Sequence, residues 1–289
     1  MKIAILGTGL MGTALAEAMI NAGNETIVFN RTALKTEPLV TLGAKAAATA
    51  SEAIMAAEAS IIVLTDGASV EKLLSDEATR AALQGKKLLN ASTTNPEEII
   101  KLAGDVSKYG GELAEMSIMV GSDELRNKQG QFLIGCKADE ESFWKEILHC
   151  AGNSIHRVGE VGDASKAETP MLLGSMFTSV SVAYAAAMAI KLNIPHEIIA
   201  QQIALLSSGA EYLLPNMFAR NYDQIMASTN NFIAVSTTAI NSAKSLGMPT
   251  EIIEKIRELY ATAAQIGYGE QDGSSIVEVL LGSKHETVK

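Results

Sequence analysis

A short aliphatic run followed at once by three spaced glycines constrains this chain more than any other feature. Lys2–Leu6 reads KIAIL, a buried strand by its β-branched and aliphatic content. Gly7-Thr8-Gly9-Leu10-Met11-Gly12 follows directly, and Thr13–Ala22 carries a helical apolar face that Gly23 stops. In such a strand–turn–helix each glycine has a task. Gly7 permits the tight turn, Gly9 lets a pyrophosphate approach the backbone, and Gly12 lets the helix lie close on the strand. The free N–H groups of Leu10, Met11 and their neighbours, at the positive end of the helix dipole, then face the phosphates. A bare GxGxxG also occurs in loops that hold no ligand. Here the preceding strand, the following helix and a second strand at Thr26–Phe29 together point to a dinucleotide.

The tip of that second strand indicates which dinucleotide. NAD-selective folds place Asp or Glu about 20 residues after the glycines, on the ribose 2′-OH. This chain has Asn30-Arg31-Thr32 instead. A guanidinium pairs with a 2′-phosphate in a bidentate, charge-assisted way, whereas a carboxylate would repel it. Asn30 and Thr32 can add neutral hydrogen bonds. The plain alternative is a solvated turn with an incidental arginine; the expectation is NADP(H).

The 289 residues are enough for two domains with substantial cores, and 47% of them are apolar. A formal net charge of −10 argues against nucleic acid or an anionic membrane surface as partner. Cys136 and Cys150 read as ordinary core positions, which suits a reducing, cytoplasmic compartment. No signal peptide is expected before the first strand. Thr169–Ile190 has no charged residue and is long enough to span a bilayer, but Pro170, Gly174, Ser175, Ser179, Ser181 and many alanines make a buried helix the expectation, with no membrane partner. His149, His156, His196 and His285 lack metal-ligand spacing, so no metal is expected.

Further strands are expected at Ser60–Leu64, Lys87–Asn90, Gly110–Met116, Gln131–Cys136 and Ser154–Val158. Helices lie between them: Thr32–Leu42, Glu52–Ala57 capped by Ser51, one reopening at Thr65–Val70, Glu97–Leu102 and Glu140–His149. This alternation means an α/β fold, a doubly wound Rossmann domain over residues 1–163. From 164 to 289 the pattern is all-helical: a long interdomain helix Ala164–Leu192, kinked or restarted at Thr169-Pro170, then His196–Leu206, Gly209–Phe218, Phe232–Leu246 and Thr250–Ile266. Ala183, Ala185, Ala186, Ala187 and Ala189 leave the long helix small on nearly every side, so a homodimer through the helical domain is expected to complete its packing.

With these motifs in place, the chain resembles the β-hydroxyacid dehydrogenase family of 3-hydroxyisobutyrate dehydrogenase-like enzymes, and imine reductases of the same fold. Gly7-Thr8-Gly9-Leu10-Met11-Gly12 matches the family's G-x-G-x-M-G. Ser92-Thr93-Thr94-Asn95-Pro96 is similar to its S-T-x-x-P substrate loop, Lys166 falls where it keeps a catalytic lysine, and Gly267–Ser275 is similar to its closing G-x-G-x-x-D-x-S. Thr169 and Pro170 stand where the family has an Asn pair, and Ala234-Val235 where it has Lys-Asp. Met116–Ser122 replaces its Pro-Val-x-Gly-Gly loop and is closer to the apolar loop of imine reductases, which usually lack the lysine.

The resemblance implies an NADPH-dependent oxidoreductase acting on a small-molecule substrate, a semialdehyde or keto acid. Ser92 and Thr93 would bind it, with Met119, Val120 and Gly121 beside it. Thr65, Asp66, Val70 and Ser92 are expected to border the cofactor; Asp66 would serve equally as a helix cap, and Ser92-Thr93 as a cap ahead of Pro96. Lys166 is the expected proton donor, its pKa lowered by removal from water, so that Lys166→Met would cost ~10²-fold or more in turnover. The bland reading of Lys166 is a solvated helix start. Turn chemistry accounts for Asp272 as well as catalysis does. Tyr184, Tyr212 and Tyr222 are pocket or packing residues. Two other functions share the pattern: an imine reductase, and a protein that senses NADPH without turnover.

Overall fold

Short runs of Ile, Val, Leu and Ala make the central strands of one eight-stranded sheet, because a parallel sheet covered by helices on both faces needs central strands that are apolar on both sides. The strands are β1 (Lys2–Leu6), β2 (Glu25–Phe29), β3 (Lys45–Ala46), β4 (Ala59–Ile62), β5 (Lys87–Asn90), β6 (Glu112–Ile118), β7 (Gln131–Gly135) and β8 (Ser154–Gly159). Their order is β3-β2-β1-β4-β5-β6-β7-β8, parallel except where β6 meets β7. Ile3 and Ile5 enter one core, Ala4 and Leu6 the core on the other face, as the period of two requires. The computed structural model describes residues 1–207 and 209–283, with only the backbone at Leu206. His285 lies outside the described residues.

The helices of this part are α1 (Leu10–Asn21), α2 (Glu37–Thr41), α3 (Ala50–Ala56), α4 (Gly67–Ser75), α5 (Glu77–Ala81), α6 (Pro96–Lys108), α7 (Ser122–Arg126) and α8 (Glu141–Leu148). The expected Rossmann alternation is what the chain adopts. Several local expectations change. Thr49, not Ser51, caps α3: its hydroxyl accepts from the Glu52 N–H, and Ser51 lies inside the helix. The edge strand β3 pairs only through Lys45 and Ala46, too short to register as a periodic run.

The chain divides into compact units at Met1–Glu168 and from Thr169 onward, a little past the 163/164 boundary read from the sequence. The division falls within α9 (Asp163–Lys191), which carries Pro170 in its interior rather than restarting there. Proline has no N–H for the Lys166 carbonyl four residues back, so one ladder bond of that helix is missing. The second unit continues with α10 (His196–Leu206), α11 (Ala210–Ala219), α12 (Thr229–Ser245), α13 (Glu251–Ala263) and α14 (Ile276–Leu281). Its core gathers Met176, Val182, Ala183, Ala186, Met217 and Tyr260. Among the described residues α9 is the one helix long and apolar enough to cross a membrane, and Met176, Val182, Ala183 and Ala186 set one side of it in this core.

Two polar features of the second unit resolve open readings. Asp272 is buried, and its carboxylate accepts from the N–H groups of Met226 and Ser274 at 3.0 Å, which makes it a turn organiser. Tyr222 donates to the buried Glu278 at 2.7 Å, beside Arg220, and so belongs to packing; Tyr184 and Tyr212 are exposed.

Candidate functional site

Register brings the sequence motifs to one edge of the sheet. Leu6 pairs with Phe29 on one side and Ile62 on the other, and Ile62 pairs with Asn90. The segments that follow these residues are Gly7–Gly12, Asn30–Thr32, Thr65-Asp66 and Ser92-Thr93. All four therefore leave the carboxyl ends of adjacent parallel strands, where the strand order reverses between β1 and β4.

The glycine loop has the shape that phosphate binding needs. Gly7 has φ +112°, and a side chain there would run into the Val63 carbonyl oxygen; one at Gly12 would overlap the Gly7 carbonyl oxygen. A Cβ at Gly9, by contrast, would meet nothing within 4 Å, so the loop is open on the side where a ligand must come. Gly9 caps α1 without any side-chain hydrogen bond, and the first turn has no acidic residue, which leaves the exposed amide end to an anion. Leu10 is exposed there, while Met11 leans on the core.

Of the three residues at the tip of β2, one is structural. Asn30 accepts from the Thr8 N–H at 3.2 Å and donates to the Thr32 carbonyl at 3.1 Å, so its amide holds the glycine loop. Arg31 is exposed and takes no hydrogen bond or ion pair among the described residues. Lys35, which sequence reasoning missed, is likewise exposed one turn on, in the short 3₁₀ segment Ala33–Thr36; Thr8 Oγ1 donates to its carbonyl at 3.1 Å. The pattern Asn-Arg-Thr-x-x-Lys was its signal. Two cations unpaired among the described residues, beside an open phosphate loop, fit a 2′-phosphorylated dinucleotide.

On the next strands, Thr65 is exposed, and Asp66 caps α4 by accepting from the Ser69 N–H at 2.8 Å, which is the cap alternative. Val70, expected to border the cofactor, is 0% exposed: it sits on the inner side of α4 and is core. Ser92 follows the neighbouring strand β5. Its buried hydroxyl accepts from the Leu64 N–H at 2.8 Å and stitches the end of β5 to that of β4. Thr93 is half-buried with no hydrogen bond of its own among the described residues, and Asn95 forms the capping box with Glu98, so neither Ser92 nor Thr93 caps α6. Met119, Val120 and Gly121 follow β6; Met119 donates to the Gln131 carbonyl at 2.9 Å, Val120 packs on the core and Gly121 caps α7.

The start of α9 holds the ionisable groups. Lys166 is 60% exposed and its ammonium pairs with Asp163 at 2.8 Å. That hydrogen bond raises its pKa, the opposite of the lowering expected of a buried lysine acid. Two residues on, Glu168 accepts from Ser117 Oγ at 2.9 Å. Burial, against the pull of that hydroxyl and aided by the Glu115 charge, lifts its pKa to about 7. Glu115 itself is buried on β6 and accepts from the N–H groups of Gly162, Ala164 and Ser165, with its own pKa raised by burial. Nothing in the sequence marked Glu168, because a glutamate near a helix start reads as a solvated residue favoured by the dipole.

Comparison with known proteins agrees with this geometry. Residues 2–159 match the family model described as the NAD binding domain of 6-phosphogluconate dehydrogenase. The 2-hydroxy-3-oxopropionate reductase of Escherichia coli is 26% identical, covering 97% of each chain. An NADPH-dependent reductive aminase of Aspergillus oryzae is 38% identical over 42% of this chain and 42% of its own. The 3-hydroxyisobutyrate dehydrogenase of Salmonella typhimurium superposes with a TM-score of 0.84 at 19% identity, over 96% of this chain and 99% of that one. The β-hydroxyacid dehydrogenase and imine-reductase resemblance of the motifs is thereby met on both sides. The chain belongs to the family of the NAD binding domain of 6-phosphogluconate dehydrogenase, as an NAD(P)-dependent oxidoreductase related to hydroxyacid reductases and dehydrogenases.

Proposed function

We propose that the chain uses NADP(H) to reduce a small C=O or C=N compound, with Glu168 supplying the proton. The observation that carries this reading is the Glu168 carboxyl, half-buried against Ser117 and balanced near neutrality. A bound nicotinamide supplies the hydride. The chain must then deliver one proton to the heteroatom, and a carboxyl with a pKa close to the working pH does so best. After transfer Glu168 is a carboxylate and takes its proton back from water. Lys166, held as an ammonium by Asp163, releases a proton less readily and is read here as a charge that neutralises Asp163.

Arg31 and Lys35 hold the 2′-phosphate, and the amide end of α1 with Gly9 holds the pyrophosphate. Thr93 and the loop Met119–Gly121 border the substrate. With Ser92's hydroxyl committed to Leu64, the S-T-x-x-P loop offers Thr93 alone for a polar contact. A carboxyl donor also suits a C=N nitrogen, whose protonated form it attracts, better than a carbon flanked by a second carboxylate. NADPH oxidation against cyclic imines, semialdehydes and glyoxylate tests the reading. Turnover is expected with imines or semialdehydes and slower with glyoxylate. NADPH binding without turnover on any of them would replace the enzyme by a sensor.

The homodimer belongs to the same proposal. Phe177, Ser181, Tyr184, Met188 and, just past α9, Leu192 are exposed at helical spacing, with Tyr184 at 52% and Met188 and Leu192 at 63%. An uncharged stripe of that length is what a second copy would cover. Light scattering at micromolar concentration is expected to give twice the chain mass; the mass of one chain removes the dimer.

A further inference from the structure

Glu168 is not held alone. β6 turns Glu115 and Ser117 to the same face, since alternate residues of a strand share a side. Glu115 accepts from the backbone at the start of α9, at Gly162, Ala164 and Ser165, and Ser117 reaches Glu168 one turn later. The strand therefore clasps the helix at two rungs, and the second rung touches one oxygen of the Glu168 carboxyl. We propose that Ser117 is the positioning residue for that carboxyl: its hydroxyl donates to Oε2, so the transferable proton resides on Oε1. This rests on the reading of Glu168 as the proton-supplying group and adds which oxygen carries the proton and what decides it.

The physical argument is one of valence. A protonated carboxyl has one O–H and one carbonyl oxygen, and the carbonyl oxygen is the better acceptor. A serine hydroxyl donating at 2.9 Å fixes Oε2 in the carbonyl role. Ser117 is buried, so water does not compete for that hydroxyl. The other charged groups nearby are accounted for. Glu115, on β6, has its oxygens occupied by Gly162, Ala164 and Ser165, and its charge favours the protonated form of Glu168. On α9 itself, Lys166 is paired with Asp163.

The test reads the carboxyl directly and needs no substrate. In the infrared spectrum of the full chain, the protonated carboxyl band that Glu168→Gln removes reports Glu168, and its pH titration gives the midpoint. In Ser117→Ala the C=O stretch should move to higher frequency, because the carbonyl oxygen loses its donor. The midpoint should rise by up to about one pH unit, as expected for losing a bond to the charged form worth about 1 kcal/mol. Ser117→Thr, which keeps the hydroxyl, should restore both. An unshifted band in Ser117→Ala overturns the proposal, as does a midpoint that falls, which would mean that the serine stabilises the protonated form by accepting the glutamate O–H. If these spectra behave as expected but Glu168→Gln retains full turnover, the positioning stands and the catalytic reading of Glu168 fails on its own.

Discussion

Glu168→Gln is expected to lower kcat by about 10²–10⁴-fold, the range for loss of a proton-transfer group, with NADPH affinity unchanged. Glutamine keeps the size of the side chain and can still accept from Ser117, but it has no proton to give near neutrality. The pH profile should change with it. With Glu168 as the proposed proton donor, reduction requires its protonated form, so the rate should fall as pH rises through about 7, and the variant should lose that limb. The stability consequence runs in the same direction with pH. Burial raises the folded pKa above the ordinary 4.5, so folding takes up a proton between 4.5 and about 7, and stability falls as pH rises through that window. The variant should show no such fall and be at least as stable above pH 7, which separates lost chemistry from lost folding. Lys166→Met is the paired measurement. The lysine reading requires a loss of ~10²-fold or more in that variant; the exposed Lys166–Asp163 pair leads us to expect much less. A large loss in Lys166→Met with a small one in Glu168→Gln would return the role to the lysine.

Arg31→Ala is expected to weaken NADPH binding by about 2–3 kcal/mol, roughly 30- to 150-fold, while NADH changes by less than about threefold. The estimate corresponds to one or two charge-assisted hydrogen bonds to a phosphate at an exposed site, where water moderates the loss. Lys35→Ala should show a smaller preference of the same sign, because an ammonium acts as a point charge without the fork of a guanidinium. Both side chains are exposed and unpaired among the described residues, so neither substitution should reduce thermal stability appreciably. Raising the salt concentration should narrow the difference between the two cofactors, since the pair works in water. Equal losses for NADPH and NADH in Arg31→Ala would remove the 2′-phosphate reading.

Much of the cofactor half was legible from residues alone, because its signals are local. A buried strand declares itself by composition, a phosphate loop by the spacing of Gly7, Gly9 and Gly12, and a discriminating strand tip by the absence of a carboxylate beside Arg31. Backbone geometry at those positions depends on neighbours a few residues away, so the linear order carries it. Tertiary structure decided which of the polar residues are free. Asn30 and Ser92 read as ligand contacts in the sequence, and the fold also engages each with a backbone group from another loop, Thr8 in one case and Leu64 in the other. Val70 looked like a rim residue and proved to be core. The largest shift concerns the proposed proton donor. Lys166 stood out in the sequence through its motif, whereas Glu168 has no motif. What distinguishes it is desolvation together with one hydroxyl from β6, fifty-one residues earlier in the chain. Protonation balance depends on packing from every side, so it exists only once the strand and the helix have met.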